Sequence, residues 1–190
     1  MTSGRCRRAW RRISAPSPLR RRCRSSCTIF PRAPSRACPT TRWSSAASPQ
    51  FAGLRDGSGD LARLLRLQPR LPAAFRLLTG DDATSLAWLA AGGHGCVSAM
   101  TNVAPDLCVA VYRNLREGRL QPARYLHRRL VPLATLLERE HPAALKFALA
   151  LLGFIEPATR LPIAPLDAAA KAEVADAMSC LADEYLAAAQ

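Results

Sequence analysis

Between residues 51 and 117, short apolar runs alternate with stretches of helical periodicity. The apolar runs are 51–55, 75–79 and 96–99, and each is only four or five residues long. Helices are predicted from a cap at Asp60 through Leu67, from a turn and cap at 80–82 through Ala91, and from Pro105 to about Glu117. Strands that alternate with helices at this spacing are typical of βα units built on a parallel sheet.

After Gly118 the pattern is helical only. Leucines recur at helical spacing over 121–138, an apolar helix is predicted over 142–152, and an Ala-rich one over 167–188. We therefore predict an α/β region at 47–118 followed by a helical subdomain at 119–190. Appended helices of this kind often supply the contacts of a homo-oligomer.

The first fifty residues have a different composition. They contain twelve arginines and no lysine, aspartate or glutamate, whereas the rest of the chain holds the other fifteen basic residues and all 14 acidic ones. The net charge of +13 thus belongs to this head, and the remainder is nearly neutral, like a cytoplasmic enzyme. No apolar period runs through residues 1–46, so we predict that they are disordered.

Three interpretations of the head remain open. An Arg-rich, acid-free N-terminus fits an organelle transit peptide, and arginines interleaved with Trp10, Phe30 and Trp43 fit a nucleic-acid-binding arm. The third is a shifted reading frame in GC-rich DNA. Shifted synonymous codons from Arg22 to Pro34 permit the string LPVVLYDIPART, a strand followed by a motif. Sequencing the coding DNA decides this hypothesis.

The sequence gives little support for a metal site, a functional histidine or a membrane span. The head cysteines lack the paired CxxC spacing of a structural zinc site, and no ligand-spaced histidine follows them, so no metal is predicted. We expect His94 to lie in a loop and His127 and His141 to be solvated helix residues. No apolar run is long enough to predict a membrane span.

Four segments resemble the dihydrodipicolinate synthase and N-acetylneuraminate lyase family. They occur in the family's order and at its spacing within residues 47–188: GLRDGSGDL (53–61), LLTGDDAT (77–84), GGHGCVSAMTNVAP (92–105) and ALKFALALLGFIEPATRLPIAPL (144–166). The resemblance implies a (β/α)8 barrel, of which this chain encodes the last three βα units in register. It also implies an imine between a lysine and pyruvate or another 2-oxo acid, with no cofactor. The shifted string LYDIPART resembles the family segment that precedes these motifs. The resemblance implies that the tyrosine of this segment relays a proton and that its arginine binds a carboxylate, whereas the chain as translated has unrelated residues at both positions.

The resemblance assigns three positions to the site. The imine-forming lysine of the family pattern G-[IVL]-K-[DE]-x-[ST]-G-D corresponds to Arg55, whose guanidinium stays protonated and is not expected to serve as a nucleophilic amine. Arg55 keeps the capacity to hold a carboxylate. Gly80 matches a pocket-lining glycine that leaves room for substrate, or is a plain turn glycine. Val97 matches a strand position whose backbone faces the pyruvate, or is a core valine.

Neither remaining lysine is a credible substitute for the missing amine. Lys146 lies within an apolar helix, and Lys171 lies in the first turns of an exposed one. The sequence therefore predicts a truncated, inactive fragment of a Schiff-base aldolase or lyase. The alternative is a non-enzymatic binding module with a basic nucleic-acid-binding arm.

Overall fold

The computed structural model describes the backbone of residues 25–29 and 51–188, and the side chains of residues 52–181. Within these residues four parallel strands form one sheet in the order β1-β2-β3-β4. The strands are β1 (Ser25–Ile29), β2 (Phe51–Asp56), β3 (Arg76–Thr79) and β4 (Gly95–Cys96). The predicted parallel sheet is confirmed, although β4 is shorter than the run 96–99 suggested.

Strand β1 corrects two expectations from the sequence. Residues 25–29 were predicted to be disordered together with the rest of 1–46, but they pair in parallel with β2. The sheet therefore has one strand more than the three predicted. The other residues of the head lie outside the described part of the chain. Pairing to the backbone of β2 explains the strand, because such pairing requires no apolar period in the added segment.

Six α-helices complete the described structure. They are α1 (Leu61–Leu67), α2 (Ser85–Ala90), α3 (Pro105–Arg116), α4 (Leu120–Arg139), α5 (Ala143–Leu151) and α6 (Ala168–Ala188), with short 3₁₀ turns at Gln68–Arg70 and Met100–Asn102. Asp60 caps α1 as predicted, since its Oδ1 accepts the Arg63 amide at 3.1 Å. The predicted cap of α2 at 80–82 is wrong, because this helix begins at Ser85 after Thr84.

Two hydrophobic clusters hold these elements together. The first lies between the sheet and helices α1 and α2, where Leu54 and Leu77 of the strands meet Leu64, Leu67 and Trp88. All five side chains are almost fully buried, and each such burial stabilises the fold by about 1.5–3 kcal/mol. The second cluster joins α2 to the C-terminal helices. The clusters fix the strand ends from one side, and these ends carry the site.

Candidate functional site at the strand ends

The three positions singled out in the sequence meet at the carboxyl ends of β2, β3 and β4. Arg55 extends from β2 and donates hydrogen bonds from Nη2 to the carbonyl oxygens of Gly80, at 3.3 Å, and Val97, at 3.1 Å. Its Nε donates to Val97 O at 3.3 Å. Because the two carbonyls follow neighbouring strands, the guanidinium joins three strand ends at one point.

The absence of a side chain at Gly80 makes room for Arg55. A Cβ built on Gly80 would lie 2.4 Å from Arg55 Cζ and 2.6 Å from Nη2, far inside van der Waals contact. The space left by the missing side chain is thus filled by the guanidinium in this chain. The glycine backbone is also fixed at the turn, since its amide donates to Asp56 O at 2.6 Å.

Val97 contributes its carbonyl rather than its side chain. The side chain is 48 % exposed, so the interpretation of Val97 as an ordinary core valine is wrong. Its amide donates to Thr79 O at 2.8 Å, which extends the pairing of β3 and β4 by one residue beyond the strand. This bond directs the Val97 carbonyl toward the tip of β2, where Arg55 reaches it.

A buried ion pair supports β2 just beyond Arg55. Asp56 Oδ2 lies 3.5 Å from Arg63 Nη1, and the two side chains are 0 % and 7 % exposed. Asp56 Oδ1 accepts the Ser58 amide at 2.9 Å, which turns the chain out of the strand. Removing one member of such a pair leaves a buried charge unsatisfied, so this contact fixes the direction in which β2 ends.

Asp82 is the site residue that sequence reasoning missed. Its Oδ2 accepts the amides of Ala99, at 3.1 Å, and Met100, at 3.2 Å, and so caps the 3₁₀ turn after β4 instead of helix α2. Its main-chain oxygen lies 3.1 Å from His127 Nε2. These partners are 17, 18 and 45 residues away in the sequence, so no local pattern predicts the contacts.

His127 is also not the solvated residue predicted. Its Nε2 contacts Ser85 Oγ at 3.2 Å as well as Asp82 O, and it ties α4 to the start of α2. The Ser85 hydroxyl donates to Asp82 O at 2.8 Å, so Ser85 Oγ and Asp82 O can only accept a hydrogen bond from His127. His127 Nε2 therefore carries the hydrogen and donates to these two oxygens. A protonated Nε2 is no base for Ser85. The arrangement is therefore a structural junction and not a nucleophile–base pair.

His94 lies in a loop, as predicted, but it has a specific partner. Its Nδ1 accepts the Leu77 amide at 3.1 Å, while the His94 amide donates to Leu77 O at 2.8 Å. The proton of a neutral ring must then reside on Nε2. This double contact extends the pairing between β3 and the segment that leads into β4.

A cavity of about 290 Å³ lies between β4 and helices α2, α3 and α4. Cys96 and Cys108 both line it, and Cys96 Sγ donates to Asp82 Oδ1 at 3.6 Å. Burial and the Asp82 carboxylate raise the pKa of Cys96 and raise that of Cys108 to about 11. Both thiols are therefore neutral at physiological pH and are not nucleophiles.

Both lysines of the chain lie in the C-terminal helices and make contacts away from the carboxyl end of β2. Lys146 Nζ donates to the carbonyl of Ala158, and Lys171 lines a groove with Phe147, Glu156 and Leu166. Within the described residues, no three His, Cys, Asp or Glu side chains are arranged to hold a metal ion. No helix in that part of the chain is both long and apolar enough to cross a bilayer.

Comparison with known proteins gives a consistent match. The model of the dihydrodipicolinate synthetase family matches residues 39–181. The 4-hydroxy-tetrahydrodipicolinate synthase of Acidiphilium cryptum is 42% identical over 137 residues, which cover 72% of this chain and 47% of the relative. The enzyme of the same name from Thiobacillus denitrificans is 40% identical over 126 residues, covering 64% and 41%.

Solved structures agree with this match. The 4-hydroxy-tetrahydrodipicolinate synthase of Methylacidiphilum fumariolicum superposes with a TM-score of 0.73 at 31% identity, covering 76% of this chain and 49% of that one. A dihydrodipicolinate synthase of Acinetobacter baumannii, solved with pyruvate, gives 0.69 at 26% identity and covers 74% and 49%. The chain spans about half the length of the curated relatives it matches. The nucleic-acid-binding alternative gains no support from these matches.

Proposed function

The chain belongs to the dihydrodipicolinate synthetase family, and from this membership we propose that it is a segment of a 2-oxo-acid-dependent aldolase or lyase that cannot form the imine. Residues 47–118 correspond to the last βα units of the barrel and residues 119–190 to its helical subdomain. As it stands, the segment is catalytically inactive.

The observation that carries this proposal is the guanidinium of Arg55 at the tip of β2. Imine formation requires a neutral amine that attacks a carbonyl carbon and then loses water. A guanidinium remains protonated near neutral pH, and its positive charge is delocalised over the nitrogens that would have to attack. Nε and Nη2 are also engaged in hydrogen bonds to the carbonyls of Gly80 and Val97.

The ligand we assign to this tip is a small 2-oxo acid. A relative from Acinetobacter baumannii was solved with pyruvate, which supports this class. In this chain the positive charge of Arg55 attracts the carboxylate, but the edge formed by Nε and Nη2 is already engaged by two carbonyls. We therefore expect weak, reversible binding in place of a covalent adduct.

Borohydride trapping with isotopically labelled pyruvate tests the proposal. The unchanged chain should incorporate no label above a borohydride-free sample, because no reducible imine forms. Arg55→Lys places a primary amine at the same strand end, and we expect it to acquire one label per chain. Peptide mapping by mass spectrometry should locate that label at position 55.

Arg76→Lys is the matched control. Arg76 lies on the neighbouring strand and is exposed, so this variant adds an amine that does not lie at the tip. It should remain unlabelled. A pyruvyl adduct on the unchanged chain would refute the proposal, and equal labelling of the two lysine variants would show that the tip confers no special reactivity.

A further inference from the structure

The two carbonyls that accept hydrogen bonds from Arg55 come from different loops. Gly80, in the loop after β3, presents its own carbonyl to Nη2 at 3.3 Å. The second acceptor is the carbonyl of Val97, which lies in the segment after β4 and accepts from Nε and Nη2. The contacts that hold Val97 in place therefore decide whether both carbonyls converge on one group.

A backbone hydrogen bond constrains the peptide plane before Val97. The Val97 amide donates to Thr79 O at 2.8 Å, and this amide belongs to the peptide between Cys96 and Val97. The Val97 carbonyl belongs to the following peptide plane, and the two planes rotate independently about the backbone torsions between them. The direction of the carbonyl therefore also depends on the residues that follow Val97.

The Asp82 carboxylate holds the chain on both sides of Val97. Its Oδ2 accepts the amides of Ala99, at 3.1 Å, and Met100, at 3.2 Å. Its Oδ1 accepts the thiol of Cys96 at 3.6 Å. Consecutive Cα atoms are only about 3.8 Å apart, so a stretch as short as 96–99 has little freedom to turn when both of its ends are held.

Asp82 is itself held in place by the helical layer. Its main-chain oxygen accepts the Ser85 hydroxyl at 2.8 Å and lies 3.1 Å from His127 Nε2, so α2 and α4 both contact it. At the other end of the held stretch, the Met100 side chain is almost fully buried in the second hydrophobic cluster. Asp82 thus connects the helices to the segment that presents the Val97 carbonyl.

We propose that Asp82 is a positioning residue for the strand-end site, because its carboxylate sets the direction of the Val97 carbonyl and thereby the placement of the group at position 55. In the unchanged chain that group is a guanidinium. In Arg55→Lys it is an amine that attacks a 2-oxo acid, and for this variant the inference rests on the proposed function. Reaction rates depend steeply on the placement of the attacking group, so loss of the Asp82 contacts should slow imine formation.

Hydrogen exchange at Arg55 tests the inference without any reaction. The Nε proton can be observed by NMR and assigned by its absence in Arg55→Lys. In Asp82→Ala it should exchange with water about three- to tenfold faster, because its hydrogen bond to Val97 O is weakened. Asp82→Asn should give an intermediate rate, since its amide oxygen still accepts backbone amides but its NH₂ group cannot accept the Cys96 thiol.

Ser85→Ala is the matched control. It removes a hydrogen bond to the Asp82 main chain but leaves the carboxylate with its three partners, so it should lower the free energy of unfolding in urea without changing exchange at Arg55. Unchanged exchange in Asp82→Ala, or equal acceleration in Ser85→Ala, would overturn the inference. If circular dichroism shows that Asp82→Ala is unfolded, unchanged exchange in folded Asp82→Asn would overturn it as well.

Pyruvate trapping extends the test to the reactive site. In the Arg55→Lys background, Asp82→Ala should reduce the initial rate of labelling by at least about tenfold, whereas Ser85→Ala should retain it. Equal rates in the two double variants would contradict a positioning role. If Arg55→Lys alone acquires no label, the proposed function fails, while the exchange measurements still decide the role of Asp82.

Discussion

Replacing Gly80 with alanine tests whether the guanidinium of Arg55 occupies the strand ends. The new Cβ would lie 2.4 Å from Arg55 Cζ, and the neighbouring Nη2 and Nε would be 2.6 and 2.7 Å away. The clashing atoms belong to the far end of a flexible side chain, so Arg55 can swing aside while the backbone stays in place. It then loses its bonds to the carbonyls of Gly80 and Val97.

The magnitude follows from those bonds. Hydrogen bonds from a charged group contribute about 1.5–3 kcal/mol when well buried, and Arg55 is only half-buried, so their joint loss should cost about 1–2 kcal/mol. Alanine offsets part of this cost. It reduces the entropy of the unfolded chain by about 0.4–1 kcal/mol where the backbone tolerates it, and Gly80 has no positive φ that would oppose alanine.

A double-mutant cycle isolates the contact. Urea unfolding should show that Gly80→Ala destabilises the unchanged chain by roughly 1 kcal/mol but leaves Arg55→Ala unaffected or slightly more stable. The expected coupling between the two positions is about 1–2 kcal/mol. If Gly80→Ala costs the same in both backgrounds, the guanidinium of Arg55 does not fill the space beside Gly80.

Two further predictions concern the groups around the site. Arg63→Ala should destabilise the chain by about 3–5 kcal/mol, because it leaves Asp56 buried without its ion pair. Arg66→Ala on the same helix breaks an exposed ion pair with Asp60 and should cost under about 1 kcal/mol. Equal losses of unfolding free energy in urea would refute the distinction between the two pairs. Burial raises the pKa of Cys108 to about 11, so its labelling by iodoacetamide should be much slower at pH 8 than that of exposed Cys180 and should accelerate only as the pH approaches 11. Equal rates at pH 8 would contradict that shift.

Local patterns in the sequence predict most of the described elements. The Asp60 cap, the strands at 51–56 and 76–79 and the helix that begins at Pro105 each have a signal within a few residues. The same patterns gave the wrong start for α2. Asp82 has the residue type of a cap, but its carboxylate binds amides 17 and 18 residues further along the chain. Propensity identifies a residue able to cap, and tertiary structure decides which turn it caps.

The site itself was predictable in position but not in geometry. The family resemblance assigned Arg55, Gly80 and Val97 to one site, and in the structure all three lie at the edge that the carboxyl ends of the parallel strands share. That the guanidinium would occupy the space beside Gly80 depends on distances between residues 25 and 42 positions apart. The contacts of His127 could not be predicted for the same reason. The sequence around a histidine on a polar helix face does not show whether its ring contacts another residue or solvent.

If the reading-frame hypothesis is correct, the register of β1 implies that the chain lacks a proton-transfer group as well as the imine-forming amine. Thr28 pairs with Arg55 across β1 and β2, and the shifted reading LPVVLYDIPART places its tyrosine across positions 27 and 28. The family resemblance assigns proton transfer to that tyrosine, whereas the translated chain has Cys27 and Thr28 there. A thiol or an alcohol is a different acid from a phenol. Arg55→Lys therefore restores the amine without the proton relay, so this variant should trap pyruvate as an adduct and yet turn over no carbon–carbon bond.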